Sequence, residues 1–190
     1  VATLYVAAKD KQGVTYFQEL EKELPNFKVE ILPENYSVEY VETLNEKPGI
    51  LALALEQKIY SLQGVPFVVP GGRFNEMYGW DSYFIGIGLL IDDQIGKAIA
   101  IAENFKYQII HYGKILNANR SYYLTRTQPP LYSSLIIEIA KKKIPSLDWL
   151  RSHLETIILE YNTVWMVQGN RLTPTGLNRY KADGIGMPFE

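Results

Sequence analysis

From residue 66 onward, apolar residues recur at helical spacing in four segments, 82–91, 97–112, 131–142 and 147–165. The stretches between them are rich in Gly, Asn, Arg and Pro, so the pattern predicts four helices joined by loops. Gly113 follows the second segment, where a left-handed glycine commonly ends a helix, and Pro129-Pro130 opens the third, where proline suits the first turn. Consecutive helices with short connections pack antiparallel, so the first and third should point the same way. The two loops that feed their N-termini, 70–81 and 113–128, are then expected to meet at one mouth.

Before residue 66 the pattern is different. Short β-type runs at Thr3-Leu4-Tyr5-Val6 and at 27–32 flank a polar helix predicted over 16–24, which Pro25 stops. Residues 50–56, after the Lys47-Pro48-Gly49 break, read as a buried helical turn. The expected fold class is therefore all-α, with residues 1–65 a short, irregular, β-containing lead-in and 66–190 the helical part.

Composition narrows the function. The chain has 190 residues, 47% hydrophobic and 21% charged, which fits one globular domain. Nineteen basic against 21 acidic residues leave a formal charge of -2, without the basic stripe that nucleic acid or an anionic membrane demands. There is no cysteine, which excludes disulfides and thiolate metal sites within the chain. The longest uncharged apolar run, 83–91, is well short of the ~20 residues a membrane helix needs. The opening Val1-Ala2-Thr3 has neither an initiator methionine nor the basic start of a signal peptide, so a fragment is expected.

The candidate chemistry lies in the two loops. They concentrate Arg73, Phe74, Tyr78, Trp80 and Asp81 in one, and Asn117, Asn119, Arg120, Tyr122, Tyr123, Arg126 and Gln128 in the other. Planar donors and acceptors beside aromatic faces suit an uncharged, hydroxyl-rich ligand. The plainer alternative is that the rings pack and the arginines are solvated. Elsewhere the residues read as structural. His111 and His153 have no carboxylates at metal-ligand spacing, so no metal site is expected, and His111 suits the negative end of its helix. Gly71-Gly72 lacks the spacing of a phosphate cradle. Tyr161 and Trp165, four apart on the last segment, read as core.

The first loop fills the pattern P-G-G-R-F-x-E-x-Y-x-W-D-x-Y at every fixed position from Pro70 to Tyr83. With the run from His111 through Asn117-Ala118-Asn119-Arg120 to Arg126-Thr127-Gln128-Pro129-Pro130, then Gly176-Leu177-Asn178-Arg179-Tyr180, the chain resembles the trehalases. The likeness is strongest to the neutral, cytosolic form of fungi, and Pro48-Gly49-Ile50-Leu51-Ala52-Leu53-Ala54 extends it upstream. It implies part of an (α/α)6 toroid, the six-hairpin glycosidase architecture, and a cytoplasmic enzyme that hydrolyses trehalose to two glucose molecules with inversion and without a cofactor. It also implies that Arg73, Asn117 and Arg126 hold sugar hydroxyls, that Phe74, Trp80 and Asp81 line the same pocket, and that Glu190 contacts substrate. The fungal enzymes carry a regulatory region upstream, through which the likeness implies a regulatory protein partner.

Inverting hydrolysis needs two carboxyls roughly 6.5–9.5 Å apart on opposite sides of the scissile bond. The recognised segments offer only Glu76, Asp81 and Glu190. Glu76 and Asp81 share one loop and would reach a sugar from the same side, so they are not expected to be the pair. Glu76 reads instead as an ion-pair partner for an arginine, and Asp81 as a hydroxyl contact or a helix N-cap. The resemblance implies that acid and base lie downstream of residue 190, so no catalytic residue is assigned in this chain. Two alternatives remain: a non-catalytic, trehalase-like sugar-binding fragment, and a helical protein-interaction module.

Overall fold

The structure, a computed structural model, describes residues 2–185. The chain opens with strand β1 (Ala2–Ala7), helix α1 (Lys11–Glu23) and strand β2 (Phe27–Leu32). β2 pairs parallel to β1 along its whole length, from Ala2 opposite Phe27 to Ala7 opposite Leu32. α1 begins ahead of the predicted position because Asp10 caps it, its carboxylate accepting from the Gly13 N–H at 2.9 Å. It ends before Pro25, as expected. After a short helix α2 (Val38–Thr43), strand β3 (Ile50–Leu51) adds parallel to the other edge of β1 in the order β2-β1-β3. Strands β4 (Leu55–Gln57) and β5 (Leu62–Gly64) form an antiparallel hairpin.

Two readings are corrected here. The lead-in is a regular β-α-β unit with a parallel sheet, and residues 50–56 are extended. Local propensity loses to partners on both sides: the Ala52 N–H donates to Tyr5 O at 2.9 Å and the Leu51 N–H to Asn119 O at 2.8 Å. A helical turn would forfeit both bonds.

The helical part comprises α3 (Gly79–Ile91), α4 (Ile95–Tyr112), α5 (Tyr132–Lys142) and α6 (Leu147–Glu160), the last continued by a π turn over Tyr161–Trp165. Cross-helix contacts fix the directions. Trp80 meets Gln128, Gly86 packs directly on Leu135, and Asp93 meets Lys142, a nearly constant offset that makes α3 and α5 parallel. Glu103 with Trp149 and Lys106 with Ser152 do the same for α4 and α6. The four helices thus form two antiparallel hairpins laid side by side. Among the described residues, no helix is long and apolar enough to cross a membrane.

Leu90, Ile101, Phe105, Ile109, Tyr132, Leu135 and Ile139 fill the space between the helices, each fully or almost fully buried. Burying a side chain of this size contributes roughly 1.5–3 kcal/mol. A polar chain crosses this core. The Tyr132 hydroxyl donates to His153 Nδ1 at 2.5 Å, His153 Nε2 lies 3.0 Å from Glu103 Oε1, and the Trp149 indole N–H donates to the same oxygen at 2.6 Å. A histidine protonated on Nε2 satisfies both of its bonds. A second apolar cluster joins the sheet to the helices, with Tyr5, Leu32, Val41 and Leu51 against Tyr107, Tyr112, Leu116 and Leu124. Tyr112 also donates from its hydroxyl to Ala52 O at 2.6 Å. His111 stands in the last turn of α4, as read; desolvation pushes its pKa down, and its ring packs against that of Tyr107.

Candidate functional site

The two loops do meet, and backbone bonds zip them together. Tyr78 bridges Ala118 and the Gly79 N–H donates to Asn117 O at 3.2 Å, while a Leu116–Thr127 bridge folds the second loop back on itself. Side-chain amides lock the seam. Asn119 is buried; its Oδ1 accepts from the Met77 N–H at 2.8 Å and its Nδ2 donates to Leu51 O at 3.2 Å, tying both loops to the sheet. Gln108 on α4 accepts the Leu116 N–H at 2.9 Å, and its amide also donates to the Met77 thioether at 3.7 Å.

Gln128 closes the assembly. Its Oε1 accepts from the Trp80 N–H at 2.5 Å and its Nε2 donates to Asn117 Oδ1 at 2.8 Å. The N-terminus of α3 is therefore capped across the loops, since the N-cap residue Tyr78 makes no side-chain capping bond to the helix. This corrects the capping reading of Asp81, which stands in the first turn, half-buried, where the helix dipole favours its charge. Gly79 is required at this join, since a Cβ there would lie 2.8 Å from Gln128 Oε1 and 3.1 Å from Leu116 O.

Glu76 is the arginine partner it was read to be. It is buried, its Oε1 accepts from Nε of Arg120 at 2.6 Å and also from Nη2, and its Oε2 accepts from the Tyr78 hydroxyl at 3.3 Å. A carboxylate so engaged is a fixed strut for the 113–128 loop.

The expected single mouth is two adjoining depressions. One, of about 220 Å³, is lined by Arg73, Phe74, Glu76, Tyr78, Arg120 and Tyr122 among others. Arg73 lies 5.0 Å over the Phe74 ring, and Phe74 meets Tyr78 edge-on at 5.5 Å. The other is smaller and holds Arg126 with Glu42, Asn45, Tyr122 and Thr125. Tyr122 lines both, so Arg73 and Arg126 flank one ring without sharing one cavity. Asn117 and Trp80 sit at the Gln128 seam, Trp80 and Phe74 each more than 40% exposed and so offering open ring faces. Glu190 lies outside the described residues.

A third cleft, of about 370 Å³, opens beside this rim and was not anticipated from the sequence. The N-terminal end of α5, the end of α6 and the loop around Tyr180 line it, and the Tyr180 hydroxyl donates to Thr127 O, between Arg126 and Gln128. Glu160 is 4% exposed in its wall, where burial pushes the carboxyl up to about 7. The expected core pair is split here: Trp165 is buried while Tyr161 is exposed. The i,i+4 spacing assumed an α-helix, whereas the Met166 N–H donates to Tyr161 O in a wider π turn.

Comparison with known proteins places the arrangement. The family model described as Trehalase matches residues 3–190. The cytosolic neutral trehalase of Emericella nidulans is 44% identical over 98% of this chain and 26% of its own length. That of Saccharomyces cerevisiae is 40% identical over 98% and 27%. The solved structure of neutral trehalase Nth1 from Saccharomyces cerevisiae superposes with a TM-score of 0.92 at 41% identity, covering 98% of this chain and 36% of that one. The chain thus spans about a quarter of the length of the curated relatives it matches. The loop motifs, the helical hairpins and these matches agree: the chain belongs to the trehalase family.

Proposed function

We propose that this chain is the sugar-holding portion of a cytosolic α,α-trehalase, and that its four helices are two of the six hairpins of an (α/α)6 toroid. The parent enzyme hydrolyses trehalose to two glucose molecules by direct attack of water with inversion. The observation that carries the reading is the Asn117–Gln128–Trp80 chain of hydrogen bonds, which fastens the two loops so that arginines, amides and ring faces stand on one rim. Rigid donors placed before the ligand arrives hold hydroxyls at low reorganisation cost. Arg73, Asn117 and Arg126 hold hydroxyls, Phe74 and Trp80 give the C–H faces of the rings a surface, and Asp81 accepts from a hydroxyl. Glu190 is proposed as a further substrate contact.

Glu76 is engaged by Arg120, which removes it from acid–base work and supports an acid and base supplied by other parts of the parent protein. The test is glucose release from trehalose. The parent protein should turn over with inverted product stereochemistry, seen as the anomer first formed by NMR. The 190-residue chain should bind trehalose in saturation-transfer NMR and release no glucose. Turnover by this chain alone would return Glu76, Asp81 or Glu190 to the catalytic roles. A parent protein that binds trehalose without cleaving it would make the family member a sugar-binding relic.

A further inference from the structure

Arg126 is held in place largely from outside its own loop. Three consecutive carbonyls are taken there: Thr125 O accepts from the Asp183 N–H at 2.9 Å, Arg126 O from the Asn117 N–H at 3.1 Å, and Thr127 O from the Tyr180 hydroxyl. The outer two donors both belong to the 180–185 segment, and the Asp183 side chain is what anchors that segment. Its Oδ2 accepts from Nζ of Lys114, near the start of the same loop, and its Oδ1 accepts from Asn170 Nδ2 at 3.1 Å. The guanidinium of Arg171, itself buried, lies 3.7 Å from Oδ1. Burial alone would raise the Asp183 carboxyl; the hydrogen bonds from Lys114 and Asn170 and the charges of Lys114 and Arg171 outweigh it and hold the carboxyl below its usual range. Just beyond, the chain passes so close that a Cβ on Gly184 would lie 2.7 Å from Thr125 Oγ1, and Gly184 and Ile185 form part of the wall of the Arg126 depression. One aspartate therefore gathers both ends of the 113–128 loop. An arginine side chain has many rotamers, so a guanidinium that must meet a ligand in one place gains from a backbone that does not move.

We propose that Asp183 is a positioning residue for Arg126: by fastening the 180–185 segment to Lys114, Asn170 and Arg171 it fixes the backbone on both sides of Arg126 and so aims the guanidinium at the sugar. Asp183 acts through Arg126 and is assigned no contact with substrate, and the proposal rests on the reading of Arg126 as a trehalose contact. The competing account is that this clasp serves folding alone. The two accounts differ once Arg126 is gone: a positioning residue then has nothing left to position, whereas a folding residue matters as much as before.

The experiment is a double-mutant cycle in the full-length parent enzyme, with kcat/KM for trehalose taken per folded molecule. Asp183→Ala should lower kcat/KM about tenfold, the scale of a displaced contact to the reacting sugar, and Arg126→Ala at least as much. The double variant should fall no further than Arg126→Ala alone. Tyr180→Phe loses only the bond to Thr127 O; it should lower kcat/KM by less and show the same coupling to Arg126, which keeps the test open if Asp183→Ala does not fold. Losses that multiply in the double variants, or kcat/KM unchanged in Asp183→Ala and Tyr180→Phe while Arg126→Ala is impaired, overturn the positioning role and leave the trehalose reading standing. A parent protein without turnover, or one in which Arg126→Ala keeps its full kcat/KM, overturns the reading of Arg126 and this proposal with it.

Discussion

Two polar regions of this molecule lie side by side and are built on opposite terms. At the loop seam each buried amide uses both of its ends: Asn119 between Met77 and Leu51, Gln108 between Leu116 and Met77, Gln128 between Trp80 and Asn117. In the cleft beside it, the buried Glu160 carboxyl has only the Trp165 indole to set against its burial, which pushes it up to about 7. A fully paired network stabilises one geometry and presents a fixed rim, while a buried carboxyl with few partners costs stability once it is ionised.

The largest expected effect is at the seam. Asn119→Ala strands the Met77 N–H and the Leu51 C=O inside the protein, at about 1–3 kcal/mol each. A loss of about 4 kcal/mol should appear in urea unfolding of the chain. A loss below about 1 kcal/mol would mean that water reaches both groups and that the seam is not the paired region described.

The cleft should respond in the opposite direction. The Glu160 carboxyl is raised from 4.5 to about 7 by burial. Between those values the folded chain keeps a proton that the unfolded chain has released, so stability falls as pH rises from 4.5 to 7 and then levels. The span corresponds to about 3 kcal/mol. Glu160→Gln removes the ionisation and should flatten that slope, leaving the variant more stable than the natural chain by up to about 3 kcal/mol at pH 8. Thermal unfolding across pH 4 to 8 measures this. A variant less stable at pH 8 would show Glu160 to be a paired carboxylate like those of the seam.

This contrast also marks what could be read in the sequence. The loops were legible because their residue types at fixed spacing carry a family pattern, and the four helices because apolar periodicity survives without any knowledge of partners. The ion pair of Glu76 followed from its place beside arginines. Gln128 could have been noticed as an amide just before Pro129-Pro130, but its clamp spans 48 residues of sequence to Trp80, and no local signal carries that distance. The strand at Ile50–Leu51 was misread because its partners, Tyr5 and Asn119, are remote in sequence. Glu160 was invisible for a further reason. A glutamate in the Leu159-Glu160-Tyr161 run looks like a solvated position until the π turn rotates its neighbours and the 165–180 loop folds over it.

A smaller effect locates the ligand-facing side of the seam. Arg126 lies in its own half-buried depression, next to Tyr122 and within the electrostatic reach of Tyr180. A charged hydrogen bond to a sugar hydroxyl contributes roughly 1.5–3 kcal/mol, so Arg126→Ala should weaken trehalose binding to the chain at least about tenfold. Unfolding free energy should move by less than about 1 kcal/mol. The opposite result, a destabilised chain with unchanged trehalose affinity, would move Arg126 from the ligand-facing side into the structural network.

The smallest expected effect concerns how rigidly the seam is delivered. Gly113 ends α4 with φ of 81°, in the left-handed region, and the chain leaves it directly into the loop that carries Asn117 and Asn119. A side chain at that φ crowds the following carbonyl and costs about 1–2 kcal/mol for most residues. Asparagine tolerates the conformation better than alanine because its short polar side chain bonds locally. Gly113→Ala should therefore destabilise the chain by about 1 kcal/mol, and Gly113→Asn by less. The ranking is the informative part. If the seam is held as firmly as its paired amides imply, the exit angle cannot relax, alanine is penalised more than asparagine, and trehalose affinity stays constant in both. If the two substitutions cost the same and both weaken trehalose, the loop has turned at Gly113 to relieve the strain and carried Asn117 with it. The seam would then be a soft assembly whose geometry depends on its entry point, and the contrast with the Glu160 cleft would be one of degree.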